Sequence, residues 1–175
     1  MICLGDELPD SLKGSDIITS KRYCSFQLKL EFKIMKNANN GIKYFVDESL
    51  KSAENHGLGL EYAILDNVNW PYDKPEYNRT CGSLYDLVRA PDNAQTKPFG
   101  EWNQAEISVD CNHIIHWLNG IKTVDIIKDS PLYRDLVSKS KYANIKGWGD
   151  IECGHILLQF EGTKASFRNI KIRKL

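Results

Sequence analysis

Strict alternation of apolar and polar side chains is the feature that most constrains the fold of this chain. Between Ser25 and Ile34 every second residue is apolar, and the residues between them are charged or carry an amide. Successive side chains of a β-strand point to opposite faces of a sheet, so this pattern predicts a strand with one buried face. Alternation recurs over 58–65 and 102–109, where Glu61 and Glu106 fall on the more polar rows.

Turn signals predict where the strands end and which of them pair. Asn119-Gly120 supplies the positive φ values of a type I′ turn, which predicts a hairpin between His113–Leu118 and Ile121–Ile126. Ser130 is a good helix N-cap and Pro131 suits the first helical position, so one helix is predicted from there to Tyr142. The remaining predicted strands are Ile42–Val46, Leu84–Val88, His155–Phe160 and Ser166–Ile172. Loops are predicted at Trp70–Thr80 and Pro91–Pro98.

These short strands and the single helix predict an all-β protein, a two-sheet antiparallel sandwich with one short helix. The length of 175 residues fits one domain over residues 1–175. The apolar row of each strand would fill the space between the two sheets. If the sheets curve, the polar rows line a groove on one face, and we expect function to lie there.

Charge and hydropathy exclude several classes of protein. Lys and Arg number 23, as do Asp and Glu, so no overall field would attract nucleic acid or an anionic membrane. No apolar run approaches the roughly 18 residues that a membrane span requires. The opening residues, MICLGDELPD, show no signal peptide. Motifs of phosphate loops, zinc proteases and serine nucleophile elbows are also missing from the sequence.

Cysteine and histidine spacings give no sign of a metal centre. The five cysteines are scattered, without a CxxC motif, which is poor support for a disulfide framework or a structural zinc site. We therefore expect them to be small buried apolar side chains. His113 and His116 lie three apart on a predicted strand, so they face opposite ways and cannot bind one metal together.

Polar and aromatic residues on the strands are the candidates for chemistry. Carboxylates that flank a sugar can supply acid, base or nucleophile, and aromatic faces stack on sugar rings. Each carboxylate can equally be a solvated strand residue, Gln159 and Arg168 a structural pair, and Trp102 a core residue. The candidates are Glu61, Asp66, Trp102, Glu106, Asn119, Gln159 and Arg168.

Seven segments of the chain carry a family resemblance: NNGIKYFV, GLGLEYAILDN, GSLYDLV, GEWNQAEI, HWLNG, GHILLQFEG and FRNIKIRKL. In their order and spacing, from about Leu12 to Leu175, they resemble one known family, the 3-keto-disaccharide hydrolase domain family. The resemblance implies a concanavalin A-like lectin/glucanase jelly roll and a bacterial protein that processes oligosaccharides or other glycosides. It also implies a periplasmic or extracellular location, and it leaves the oligomeric state open.

The resemblance further implies hydrolysis of glycosides that carry a ketone at sugar carbon 3. The ketone acidifies the hydrogen on carbon 2, so a modest base can remove it, the enolate expels the group on carbon 1, and water then adds. On this basis Glu61 or Glu106 is the expected base and Arg168 the expected enolate or substrate anchor. A divalent metal on the carboxylates is consistent with the scheme. The expected substrate-binding residues are Asp66, Tyr85, Trp102, Asn103, Asn119, Gln159 and Glu161.

The chain departs from the family pattern in three places, and the change in the LQDHG motif favours an alternative, a carbohydrate-binding module without catalysis. Position 63 is Ala where the family often has Gln, and Phe160 and Glu161 replace an Asp and a His in the LQDHG motif. The family's first strand also lacks a counterpart in this chain. The opening residues or a partner would then have to cover the sheet edge. A third alternative is an interaction domain without a sugar site.

Overall fold

A computed structural model describes residues 2–4, 16–51, 57–69 and 78–175. Ten strands and one helix lie within these ranges. The elements are β1 (Ile2–Leu4), β2 (Ile17–Ile18), β3 (Phe26–Ile34), β4 (Asn39–Lys51), β5 (Gly57–Leu65), β6 (Asn103–Asp110), β7 (His113–Leu118), β8 (Ile121–Ile127), α1 (Pro131–Lys139), β9 (His155–Phe160) and β10 (Ala165–Lys174).

The strands form two antiparallel sheets that enclose one core. The larger sheet has the order β1-β10-β3-β6-β7-β8, and the smaller has the order β2-β9-β4-β5. Alternate residues of β3, such as Phe26, Phe32 and Ile34, are almost fully buried between the sheets. Tyr62 of the smaller sheet reaches across this core and donates a hydrogen bond to the Trp117 carbonyl of the larger sheet. The predicted all-β, two-sheet antiparallel sandwich is confirmed.

The local predictions for the hairpin and the helix are confirmed with one difference in length. Asn119 and Gly120 have φ values of 50° and 83°, which a type I′ turn requires. The Ser130 side chain accepts a hydrogen bond from the Tyr133 N–H, as expected of an N-cap. The helix ends at Lys139 and not at Tyr142, because Ser140 takes an extended conformation with a ψ of 169°.

Two strand predictions need correction. Leu84–Val88 forms only isolated bridges, one between Leu84 and Val88 and one between Leu84 and Tyr62, so it is an edge segment beside β5 and not a strand. Strand β5 is buried on both faces over 58–65, and this segment extends the sheet beyond its edge through backbone hydrogen bonds to Glu61 and Ala63. Residues 70–77 of the predicted loop at 70–80 lie outside the described residues.

The cysteine prediction is wrong for one pair. Cys24 and Cys153 form a disulfide across a sequence separation of 129 residues. Cys24 lies just before β3 and Cys153 just before β9, so the bond ties the larger sheet to the smaller one. Cys81 is a buried free thiol, as expected, whereas the free thiol of Cys111 is exposed.

At the start of the chain, β1 pairs with β10 at the edge of the larger sheet, with Ile2 opposite Phe167. β2 pairs with β9 at the edge of the smaller sheet. No helix among the described residues is both long and apolar enough to cross a membrane.

Candidate functional site

The sandwich separates Glu61 and Glu106, the two carboxylates on the polar rows that were predicted to line one groove. Tyr62 points into the core, so its neighbour Glu61 lies on the outward face of the smaller sheet. Ala105 and Ile107 point into the core from the other side, so Glu106 lies on the outward face of the larger sheet. The whole core stands between these faces, and the expectation of one shared groove is wrong.

Glu106 and Arg168 belong to the larger sheet, where both are ion-paired. Glu106 lies opposite Lys29 on the neighbouring strand, and their charged groups are 3.0 Å apart. Arg168 binds Glu31 through its Nε atom. These pairs neutralise the charges of a solvent-facing sheet surface. The structure therefore separates Glu106 and Arg168 from Glu61 and gives them stabilising partners instead.

Glu61 lies in a buried position that its neighbours on β4 create. It is paired across the sheet with Lys43, and its side chain leans over the adjacent Gly41. A Cβ atom on Gly41 would lie 2.7 Å from the Glu61 Oε1 atom, so any other residue there would displace this carboxylate from its present position. Glu61 is 7% exposed. None of the hydrogen bonds or ion pairs among the described residues involves its carboxylate.

Burial raises the pKa of Glu61 above its ordinary value. The positive charges of Lys43, Lys141 and Arg79 act in the opposite direction without cancelling this effect. A carboxylate with a raised pKa is a stronger base than one in water and is well suited to take a proton from carbon.

Three of the predicted binding residues do lie on the same side as Glu61. Gln159 on β9 is paired with Gly41, the residue under the Glu61 side chain, and its amide donates a hydrogen bond to Glu161. The Tyr85 N–H donates to the Glu61 carbonyl at 2.9 Å. Tyr85 is half-buried, and burial raises the pKa of its phenol to about 12. The phenol therefore stays protonated at neutral pH and can donate a hydrogen bond.

Sequence reasoning missed the cations on this face. Lys43 is buried and donates to the Gly57 carbonyl at 3.2 Å, and Arg79 pairs with Asp86 at 2.8 Å. Lys141 follows the helix, and its ammonium lies 4.6 Å from the centre of the Tyr85 ring. The alternation of β4 could have revealed Lys43. No periodic signal marks Arg79 or Lys141, because both lie in irregular segments.

Asp66 has a structural environment. Its carboxylate accepts hydrogen bonds from the N–H groups of Asn37, Val68 and Asn69 and from the Asn69 side chain, at 2.8–3.1 Å. Burial acts to raise its pKa, but these donors together lower it. With its oxygens engaged in this way, the carboxylate holds the turn that follows β5 and has little capacity left for a sugar.

The other three predicted residues also hold the scaffold. The Asn119 side chain accepts from the Gln104 N–H at 2.8 Å and donates to the Asn103 side chain at 2.9 Å. Asn103 in turn accepts from the Lys97 N–H, which fixes the preceding loop to the hairpin. Trp102 lies under the Arg168 guanidinium at 4.0 Å, on the side of the larger sheet.

The Glu61 face offers few ligands for a divalent metal among the described residues. The described residues contain no cluster of three or more His, Cys, Asp and Glu side chains. On the Glu61 face, Glu61, Gln159 and Glu161 are the oxygen donors that β5 and β9 bring near one another. This set falls short of the ligand number that Mg²⁺ or Ca²⁺ prefers, so the described residues of this face do not fit such an ion.

Comparison with known proteins gives one family. Residues 7–173 match the model of the 3-keto-alpha-glucoside-1,2-lyase-like domain. A protein of Bacteroides thetaiotaomicron named 3-keto-disaccharide hydrolase is 33% identical over an alignment 194 residues long. The alignment covers 98% of this chain and 65% of the relative. The chain thus spans about two thirds of that relative's length.

Solved structures share the fold. A candidate glycosyl hydrolase from Parabacteroides distasonis superposes with a TM-score of 0.80 at 28% identity, covering 91% of this chain and 74% of that one. A second candidate glycosyl hydrolase from the same organism gives 0.69 at 28% identity, covering 94% and 85%. A Bacillus subtilis protein with a galectin-like fold gives 0.57 at 11% identity, covering 91% and 76%. The last likeness concerns the fold alone, and it agrees with the lectin-like jelly roll that the resemblance implied.

Proposed function

Because the chain belongs to the 3-keto-alpha-glucoside-1,2-lyase-like domain family, we propose that it cleaves the glycosidic bond of a 3-keto-glycoside with Glu61 as the base. The observation that carries this proposal is the state of Glu61, a buried carboxylate with a raised pKa and no ion-pair partner among the described residues. The name of the Bacteroides relative, 3-keto-disaccharide hydrolase, supports the same substrate class.

The reaction begins when the Glu61 carboxylate takes the proton from sugar carbon 2. The electrons of that carbon–hydrogen bond move toward the ketone on carbon 3, whose oxygen becomes an enolate. The enolate then expels the oxygen substituent from carbon 1, leaving a double bond between carbons 1 and 2, and the departing alcohol takes up a proton. Addition of water across this double bond completes a net hydrolysis. The raised pKa of Glu61 matches the first step, because proton transfer improves as the base becomes stronger.

Hydrogen-bonding side chains around Glu61 suit a sugar. The Tyr85 phenol, with a pKa of about 12, can donate to the departing oxygen. The Gln159–Glu161 pair offers both donors and acceptors to ring hydroxyl groups. These residues lie on strand β9 and on the segment beside β5, so the fold holds them on two sides of the base.

The second candidate function is carbohydrate binding without cleavage. The observation that favours it is the orientation of the residues at the altered LQFEG motif. Phe160 packs against the core, whereas Glu161 is exposed next to Gln159. A carboxylate therefore occupies the position where the resemblance expects a histidine. If that histidine is required for turnover in relatives, this chain would keep the binding face and lose the reaction.

An extracytoplasmic location is also proposed. The Cys24–Cys153 disulfide supports it, because such bonds persist in oxidising compartments and are rare in the cytosol.

The test compares two variants on opposite faces of the sandwich. The wild type and the variants Glu61→Gln and Glu106→Gln are incubated with a 3-keto-glucoside bearing a chromogenic aglycone, with and without chelator. We expect wild-type turnover, loss of turnover by at least about 100-fold in Glu61→Gln, and near-wild-type rates in Glu106→Gln. Saturable binding without turnover in the wild type would favour the binding module. Full activity of Glu61→Gln would refute its role as base.

A further inference from the structure

Lys141 differs from the other cations around Glu61 in that its ammonium lacks an acceptor. Among the described residues it makes no ion pair and no side-chain hydrogen bond, and it lies 4.6 Å from the Tyr85 ring and 5.0 Å from the Tyr142 ring. Lys43 already donates to the Gly57 carbonyl, and Arg79 is paired with Asp86. Among the described cations that act on Glu61, Lys141 is therefore the one whose ammonium can meet an oxygen of a ligand.

The fold fixes the backbone of Lys141 near the base. Its N–H donates to the Asp86 carboxylate at 2.7 Å, and the adjacent Tyr85 is held to β5 by its hydrogen bond to the Glu61 carbonyl. These two bonds join the segment after the helix to the strand that carries the base. The two aromatic rings then attract the ammonium by cation–π contacts without neutralising it.

The charges of Lys141 and Glu61 change each other's pKa. The positive charge of Lys141 acts to lower the pKa of Glu61, and the negative charge of Glu61 acts to raise the pKa of Lys141. Part of the Lys141 side chain is exposed, yet its surroundings displace enough water to lower its pKa overall. An ammonium that has lost part of its hydration interacts more strongly with a nearby negative oxygen.

We propose that Lys141 stabilises the negative oxygen that develops on sugar carbon 3 when Glu61 removes the proton. This assignment rests on the proposed function, and it gives Lys141 the role that the sequence analysis gave to Arg168. In the elimination, the electron pair of the carbon–hydrogen bond ends on the ketone oxygen, which accepts a hydrogen bond from the ammonium. Lys141 keeps its proton throughout. As the enolate collapses, the ketone forms again, a double bond forms between carbons 1 and 2, and the negative charge leaves on the oxygen that departs from carbon 1 and is then protonated.

The test uses Lys141→Gln, Lys141→Arg and a matched control, Lys139→Gln. Lys139 lies two residues away and is paired with Asp135 on the exposed helix surface, so its loss should change kcat less than about twofold. Loss of a donor to a developing oxyanion lowers kcat by about 100-fold to 1,000-fold, which is the expectation for Lys141→Gln. KM should change far less, because the contact strengthens only as charge develops. Lys141→Arg, which keeps the charge, should recover part of the loss.

The pH profile separates this role from a structural one. Removing the Lys141 charge raises the pKa of Glu61 further, so the acidic limb of kcat/KM should move to higher pH in Lys141→Gln and stay in place in Lys141→Arg. Wild-type kcat in Lys141→Gln, or a change in KM alone, would overturn the inference and leave the proposed function intact. If Lys141→Gln does not fold, the Arg variant decides, and a loss there as complete as in Glu61→Gln counts against a charge-based role. Failure of the wild type to cleave any 3-keto-glucoside would refute the proposed function itself.

Discussion

Replacing both cysteines of the Cys24–Cys153 disulfide with alanine should destabilise the protein strongly. The bond closes a separation of 129 residues. For a loop of this length, the chain-entropy relation predicts that the cross-link lowers the entropy of the unfolded chain by about 17 cal/mol/K. This destabilises the unfolded state by about 5 kcal/mol at 25 °C. Urea unfolding followed by tryptophan fluorescence should show a loss in the free energy of unfolding of about 3 to 5 kcal/mol.

Cys111→Ala is the matched control, since Cys111 is an exposed free thiol and its loss removes no cross-link. Its free energy of unfolding should stay within about 0.5 kcal/mol of the wild-type value. A loss below about 1 kcal/mol in the double variant would refute the reasoning, because it would mean that the disulfide restricts the unfolded chain little. An equal loss in Cys111→Ala would indicate that Cys111, and not the Cys24–Cys153 pair alone, takes part in a cross-link.

Three further outcomes are expected. Gly41→Ala should displace the Glu61 carboxylate, whose Oε1 would lie 2.7 Å from the new Cβ, and should lower kcat/KM by about 100-fold; unchanged kinetics would contradict this. Glu61→Gln should be more stable than the wild type at neutral pH, because the raised pKa means that ionised Glu61 opposes folding. That difference should vanish below the ordinary pKa of 4.5, where Glu61 is protonated in both states, and melting curves across pH would show whether it does. Tyr44→Phe removes the 2.9 Å hydrogen bond to His116, which is wholly buried and whose pKa burial lowers to about 3. This substitution should lower the free energy of unfolding, measured in urea, by about 1 to 3 kcal/mol. An unchanged free energy of unfolding would mean that the imidazole finds another partner.

The sequence predicted the strands and the rows of side chains well, because the direction of a side chain depends only on its position along the strand. The alternation of Phe26–Ile34 and the Asn119-Gly120 turn are local signals of this kind. The sheet to which each strand belongs is a long-range property. Glu61 and Glu106 both proved to face outward, but from opposite sheets, and nothing in the alternation distinguishes these cases.

The candidate site was only partly predictable for the same reason. Glu61, Tyr85, Gln159 and Glu161 came from motifs on or beside the strands of the smaller sheet. Lys141 comes near them through the packing of an irregular segment, which leaves no periodic trace. The disulfide also escaped notice, because Cys24 and Cys153 are distant in sequence and three other cysteines obscure the pairing.

Because Gly41 of β4 lies beneath the side chain of Glu61 on β5, the residues that can occupy positions 41 and 61 depend on each other. Any side chain at position 41 would claim the volume that the carboxylate occupies. A variant with a small residue at position 61 would leave that volume empty, so a larger side chain at position 41 would no longer meet the carboxylate. Among proteins of this fold, a bulky residue at the first position should then occur together with loss of the carboxylate at the second.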